Sequence, residues 1–374
     1  ALSAFLTSCP QALLVAGCAM ALVSLFFGNM LLHGGFYPRT YLPYLIIIPA
    51  FAFIVLFVLY PMIEIVYLSL FKGNLINPTK TFVGLKNYND IFFVKNDFKA
   101  ALGNTAVYTV AVVVFLIFFA VLFALWFFQD RRINRFSQTM IFSPYLIASV
   151  CTGFIWAWIM SKQDYGLFNT LLKAFGAEPM KWLESSATAM PCIIFVVIWK
   201  NLGYYVLIIL AALKSIPAEI YEAAQLDAAP RYRQFFRITL PLLSPQLFFL
   251  LITITISSFK VFDTIRVMTD GGPGNATNVI SLYIYDYSII RMNSLGIGMA
   301  ASVVLMGILI AIVDAFPVLG SGTILIPWAV FSWIQKDYVA AAVLLTLYVV
   351  TMVVREVLEP KLMGKEMGLS LIHI

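Results

Sequence analysis

The sequence predicts an all-α, polytopic membrane protein, and three observations carry that prediction. Of its 374 residues, 62% are apolar and only 11% charged, and the mean hydropathy of +0.93 does not suit a water-facing surface. Several apolar runs exceed the roughly 20 residues that a helix needs to cross about 30 Å of hydrocarbon. Polar loops rich in Gly and Pro separate these runs, without the short alternating strands that would mark a β-barrel.

Window length and flanking turn residues place six core spans near residues 42–70, 103–128, 138–160, 187–213, 246–268 and 295–313. An apolar stretch from Ala12 to Leu32 precedes them. No Lys or Arg stands before it, so the basic flank of a cleavable secretory signal is missing. It reads either as an extra N-terminal span or as sequence translated upstream of a start such as Met30. Two more apolar stretches follow the core, near 322–334 and 338–354, the first interrupted by Pro327.

Composition also argues against several functional classes. The net charge of +6 is spread over loops, which fits residues flanking membrane spans and makes nucleic acid an unexpected partner. Cys9, Cys18, Cys151 and Cys192 lie in or beside apolar runs with no CxxC pair, so they read as buried small hydrophobes. His33 and His373 are the two histidines, which leaves little for His-dependent metal or triad chemistry. No GxxxxGK[ST] occurs in the chain. No catalytic residue, metal site or cofactor is therefore expected, and the chain is not read as an enzyme.

The loop Gln129 to Ser137 holds Arg131, Arg132 and Arg135, which marks it as cytoplasmic. Alternation then puts Lys214 to Pro245 on the same side, with Lys214, Arg231, Arg233 and Arg237. The loop Phe71 to Ala101 falls on the opposite side although it carries Lys72, Lys80, Lys86, Lys95 and Lys99, which are spread along a longer segment.

The most informative segment is Lys214 to Pro245, KSIPAEIYEAAQLDAAPRYRQFFRITLPLLSP, which is too polar to cross a bilayer. Pro217 suits the first turn of a helix, and Glu219 and Glu222 would face the positive end of its dipole. Ile216, Ile220, Ala223 and Ala224 share one side at spacings of three and four. Pro230 interrupts, Phe235, Phe236 and Ile238 restore an apolar face, and Pro241 and Pro245 bracket entry into the next span.

Glu222-Ala223-Ala224, then Asp227, then Ile238-Thr239-Leu240-Pro241 resembles the EAA loop of ABC importer permeases. That resemblance implies a coupling helix docked on a cytoplasmic ATP-binding subunit, with Glu222, Ala223, Ala224, Asp227, Ala228, Ile238, Leu240 and Pro241 forming the contact. Ala228 departs from the family, which has Gly there; if the position needs a positive φ, Ala costs about 1 kcal/mol. Further landmarks are similar to the maltose-type sugar permeases over about residues 41 to 307. They are Leu59-Tyr60-Pro61, Leu68-Ser69-Leu70-Phe71, Val83-Gly84-Leu85-Lys86-Asn87-Tyr88, Gly103-Asn104-Thr105 and Tyr165-Gly166-Leu167-Phe168-Asn169. Ile198-Trp199-Lys200-Asn201, Thr269-Asp270-Gly271-Gly272-Pro273 and Leu295-Gly296-Ile297-Gly298-Met299-Ala300 complete the series.

The resemblance implies a six-helix ABC importer permease core, residues 41–310, with the EAA loop at 214–245 and extra hydrophobic segments at 1–40 and 311–374. It implies a multi-pass location in the bacterial cytoplasmic membrane and uptake of a sugar or oligosaccharide. The implied partners are two ATP-binding cassette subunits that hydrolyse ATP, a second homologous permease and an extracytoplasmic solute-binding protein, all around the lipid bilayer. Asp270 to Asn275 reads as a turn and not a phosphate cradle. Ser257, Ser258 and Asn201 could line a substrate path, with helix packing the favoured use. Trp126, Trp156, Trp158 and Trp199 lie near span ends, where aromatic belts are expected and sugar stacking is the alternative.

Beyond about residue 311 a second resemblance begins. Asp314 to Gly322, Ile326-Pro327-Trp328 and Arg355 to Lys361 are similar to the autoinducer-2 exporter-like family, and Leu369 to Ile374 resembles translated sequencing adapter. A mosaic of two genes is the expectation, with a secondary transporter or exporter as the alternative function.

Overall fold

A computed structural model describes residue 51 and residues 54–74, 80–128, 132–163, 165–291, 294–314 and 342–348, without the side chains of 132 and 314. In chain order the elements are α1 (Val55–Ser69), β1 (Phe71–Lys72), β2 (Thr81–Phe82), α2 (Lys86–Asn89), α3 (Asn96–Phe127) and α4 (Arg132–Phe142). Then come α5 (Ser149–Ile159), α6 (Leu167–Ala174), α7 (Ala189–Lys214), α8 (Ala218–Leu226), α9 (Arg231–Phe259), α10 (Asp263–Met268), α11 (Ile280–Tyr285) and α12 (Leu295–Asp314). The expected all-α, polytopic class is observed. Among the described residues, α3, α7, α9 and α12 are long and apolar enough to cross a membrane, and the strands are two residues each.

Two compact units divide the chain. In the first, residues up to Val94 join Ile284–Val304. Here β1 and β2 pair antiparallel, Phe71 opposite Phe82. The buried Asn87 amide donates to the carbonyls of Ser69 at 2.7 Å and Phe71 at 3.0 Å, and the Tyr88 and Ser69 hydroxyls lie 2.7 Å apart. Leu295 N–H donates to the Gly73 carbonyl at 3.2 Å. A Cβ at Gly296 would lie 1.9 Å from the Phe71 carbonyl oxygen, so only Gly permits this approach. Three separate sequence landmarks thus meet at one hydrogen-bonded corner.

In the second unit, Lys95–Tyr283 with the residues from Leu305, α3 packs along α7 and α9 packs against α3. The buried side of α3 runs Phe98, Ala101, Thr105, Tyr108, Val112, Leu116, Ala120, Ala124 and Phe127, spaced by three and four. Its other sides expose Val107, Val110, Val114, Phe118, Leu122 and Trp126, as a lipid-facing surface does. Asn104, in the third turn of α3, donates to the carbonyls of Asn275 at 2.8 Å and Asn278 at 2.9 Å. Thr105 Oγ1 accepts from Ile280 N–H at 2.9 Å. Residues 270–275 form the expected turn, with positive φ at Asp270, Gly271, Gly274 and Asn275. The Asn169 side chain ties its loop, donating to Ser161 and Met180 and accepting from Met180 N–H and Trp182 Nε1.

Four expectations are corrected. The span expected as one crossing at 138–160 is broken: Ile133–Leu146 and Ser149–Ile159 meet at 99°. Pro144 sits in a 3-10 turn there, and Ile147 and Ala148 are extended, which no continuous helix allows. The span expected at 246–268 is instead a 29-residue helix that starts at Arg231 and stops at Phe259, so Pro241 and Pro245 lie within it. A π-helical turn at Phe235–Thr239 stands just before Pro241, whose missing N–H interrupts the regular helical ladder there. The same device, Val55–Leu59, precedes Pro61 in α1.

Trp156 is buried in a cluster with Phe168, Phe195 and Trp199, and so does not belong to a belt, whereas Trp126 and Trp158 are exposed. Cys192 is buried but Cys151 is exposed, on an apolar helix. Cys9, Cys18, the stretch at 12–32, residues 42–50 and the stretch at 322–334 lie outside the described residues, and of 338–354 only the helical residues 342–348 lie within them.

Candidate functional site

The segment between α7 and α9 folds as a short helix with a defined stop. Pro217 immediately precedes α8 in an extended conformation, one residue earlier than expected, and Glu219 occupies the first turn. Ala224 is buried and Tyr221 half-buried, while Glu222, Ala223 and Leu226 are exposed and Ile220 is exposed too. The inward side is therefore Tyr221 and Ala224, and the expected one-sided group of Ile216, Ile220, Ala223 and Ala224 is divided, with Ile220 and Ala223 exposed, Ile216 half-buried and Ala224 buried. Ile220, Glu222, Ala223 and Leu226 together make up the exposed side.

The helix ends in a Schellman motif. Ala229 N–H reaches the Ala224 carbonyl at 3.0 Å and Ala228 N–H the Gln225 carbonyl at 2.9 Å, with Asp227 as the C-cap. Ala228 takes the left-handed position at φ 51°, the one for which Gly was the family residue. Gln234 Nε2 donates to the Ala229 carbonyl at 2.8 Å, folding the chain back toward α9. There the Tyr221 and Thr239 hydroxyls lie 3.0 Å apart, and the Tyr221 ring stands 6.5 Å from that of Phe128 at the end of α3. Thr239 is buried, Ile238 and Leu240 are half-buried and Pro241 is exposed. All eight expected residues share this loop, but Tyr221, Gln234 and Phe128 were not singled out by the sequence.

The same unit holds a half-open cavity of about 370 Å³ between its helices. Tyr108, Tyr145, Tyr204 and Tyr205 line it, and the rings of Tyr145 and Tyr204 stack at 4.7 Å and 10°. Asn201, Ser257 and Ser258 also line it, and the Asn201 amide donates to the Val197 carbonyl of its own helix at 2.8 Å. Lys200, Lys260 and Asp263 supply its charges. Gly203 lets α7 approach α4, since a Cβ there would lie 2.2 Å from the Ile141 carbonyl oxygen. Lys200 was not singled out as a site by the sequence, although a lone ionisable residue inside an apolar run is a signal that could have marked it.

Comparison with known proteins identifies the fold and the family. Residues 116–319 match the binding-protein-dependent transport system inner membrane component. The chain belongs to this family. It is 34% identical over 276 residues to the probable ABC transporter permease protein YurN of Bacillus subtilis (strain 168), covering 72% of this chain and 93% of that one. It is 33% identical over 267 residues to the trehalose/maltose transport system permease protein MalF of Thermococcus litoralis, covering 71% and 89%. A crystal structure of a bacterial alginate ABC transporter, in complex with alginate pentasaccharide-bound periplasmic protein, contains a chain of TM-score 0.66 and 25% identity, covering 74% of this chain and 92% of that chain.

This inner membrane component is thus a multi-pass transport permease. The family match continues to residue 319, past the junction expected near 311, and lends no support to a mosaic. Among the described residues no group of three or more His, Cys, Asp or Glu could hold a metal ion.

Proposed function

We propose that this chain is the membrane-spanning permease subunit of an ATP-driven importer for a sugar or oligosaccharide, and that the loop at 214–245 couples it to a separate ATPase subunit. The observation that carries the reading is the outward side of α8. Ile220, Glu222, Ala223 and Leu226 are exposed on a segment too polar for lipid, while Tyr221 and Ala224 hold that helix to the rest of the unit. A small residue beside a carboxylate allows a close and oriented dock against another protein.

Through Tyr221 the helix touches both the entry to α9 and the end of α3, so a push on α8 reaches two spans that line the cavity. The cavity provides stacked rings, hydroxyls and an amide, the groups that hold a sugar. Relatives named for trehalose/maltose and arabinooligosaccharides, and the alginate transporter structure, support a saccharide cargo. Residues 41–310 form the core in this reading. The assembly adds two ATP-binding subunits, a second permease and an extracytoplasmic solute-binding protein.

The test is Ala223→Trp in the assembled complex. Uptake should be lost with the protein still present in the membrane and ATP hydrolysis no longer tied to transport. Normal uptake with normal coupling would refute the role of α8.

A further inference from the structure

We propose that the cavity selects an anionic saccharide, one bearing a carboxylate, sulfonate or phosphate, and that Lys200 is the side chain that reads its charge; this rests on the saccharide-path reading above. Lys200 is only 9% exposed and lines the cavity, yet among the described residues it makes no hydrogen bond or ion pair. Its Nζ lies 5.8 Å from the centroid of the Tyr145 ring. A ring face attracts an ammonium but accepts none of its three N–H donors in the way an oxygen does. A buried ammonium left in that state is unfavourable, and an oxyanion in the cavity would complete its hydrogen bonds.

The charges around it point the same way. Asp263, the one carboxylate on the cavity wall, acts on Lys200 through space without forming an ion pair with it, and Lys260 adds a second cation. Two cations against one anion leave the wall positive. The Tyr145 and Tyr204 platform and the Asn201 amide offer stacking and hydrogen bonding to any sugar ring, and the lysines add charge beside them. A cationic cargo would meet repulsion at the same place. The position of Lys200, one turn before Tyr204 on α7 and against Tyr145 at the bend after α4, fixes the charge beside the stacking platform, where a ring substituent would lie.

The test uses the assembled transporter in lipid nanodiscs with a reporter thiol, Ser257→Cys, on the cavity wall. The reporter is labelled with an anionic sulfonatoethyl or a cationic trimethylammonioethyl methanethiosulfonate. Rates are corrected for the parent complex, in which Cys151 is exposed, and for each reagent's reaction with a free thiol. The anionic reagent should be favoured by about tenfold, as a focused positive potential requires. Lys200→Gln should bring the ratio close to one, and Lys200→Arg should keep it. Trigalacturonate should protect the reporter at lower concentration than maltotriose.

Labelling by neither reagent would mean that water does not reach the wall, and the path reading itself would fall. Labelling with a ratio near one in the unsubstituted wall overturns the anionic proposal and leaves the path standing. So does protection by maltotriose equal to or better than that by trigalacturonate. If Lys200→Gln does not assemble, the ratio in the unsubstituted wall and in Lys200→Arg still decides.

Discussion

The hydroxyls of Tyr221 and Thr239 lie 3.0 Å apart, joining the middle of α8 to the first turns of α9 across 18 residues of sequence. Thr239 is buried and Tyr221 half-buried, so this contact forms away from bulk water, where an unmet hydroxyl is penalised. It attaches α8 directly to a membrane helix, in addition to the chain that joins them. The ring of Tyr221 adds a second attachment at Phe128.

Replacing Tyr221 by Phe keeps the ring contact and removes the hydroxyl. The change should weaken the attachment by about 1 kcal/mol, the usual worth of one such hydrogen bond. Uptake by the assembled transporter should fall several-fold while the amount of protein in the membrane stays the same. Uptake at the unsubstituted rate would show that the hydroxyl contact does not carry the motion.

Two helices in the second unit end in the same motif with different residues at the left-handed position. At the end of α6, Gly176 takes φ 75°, with Ala177 N–H bonded to the Leu172 carbonyl and Gly176 N–H to that of Lys173. At the end of α8 the corresponding residue is Ala228, at φ 51°. A Cβ in this region is disfavoured by about 1 kcal/mol. Ala228→Gly should raise the melting temperature of the detergent-purified chain, and Gly176→Ala should lower it. Opposite signs, or no change in both, would contradict the reading.

Much of the fold was legible because the bilayer demands long apolar helices, and α3, α7 and α12 appear close to where hydropathy puts them. What hydropathy does not show is which side of a helix is covered. On α3, Val112 and Leu116 are buried while Val110 and Val114 are exposed, and all four are equally apolar because lipid and protein interior make the same demand. Breaks were hidden for a related reason. Pro144 and Pro241 look alike in sequence, yet one ends a helix at a 99° bend and the other is absorbed by a π-helical turn. In the loop at 214–245, the spacing pointed to Glu222 and Ala223. The inward anchor, Tyr221, is not visible in that spacing, because its contact is made by a hydroxyl and not by an aliphatic stripe.

Orientation gives a further expectation. The Arg131 to Arg135 loop and α8 should share the cytoplasmic side despite the lysines in the loop at 71–101. Single cysteines at Ser137 and Gln225 should be shielded from an impermeant thiol reagent in intact cells, and one at Asn89 should react. The reverse pattern would place α8 outside, beyond reach of any ATPase.

A close backbone approach between two helices of the cavity-bearing unit makes the last prediction. A Cβ at Gly203 would lie 2.2 Å from the Ile141 carbonyl oxygen and 2.5 Å from both the Ile141 carbonyl carbon and the Phe142 Cα. All three are backbone atoms, so no side chain can rotate away, and α7 and α4 must separate. That separation would also disturb the Tyr145 and Tyr204 stack, because Tyr204 follows Gly203 directly and Tyr145 lies in the turn just after α4. Overpacking of this kind destabilises by about 1–3 kcal/mol. Gly103 in α3 is the control: a Cβ there meets nothing within 4 Å, and Ala in an open helical position is favoured over Gly by about 0.5–1 kcal/mol. Thermal unfolding in detergent should therefore show Gly203→Ala melting well below the parent and Gly103→Ala at or above it. Equal melting temperatures for the two variants would mean that α4 and α7 do not approach as closely as described, and the cavity wall built on that approach would have to be redrawn.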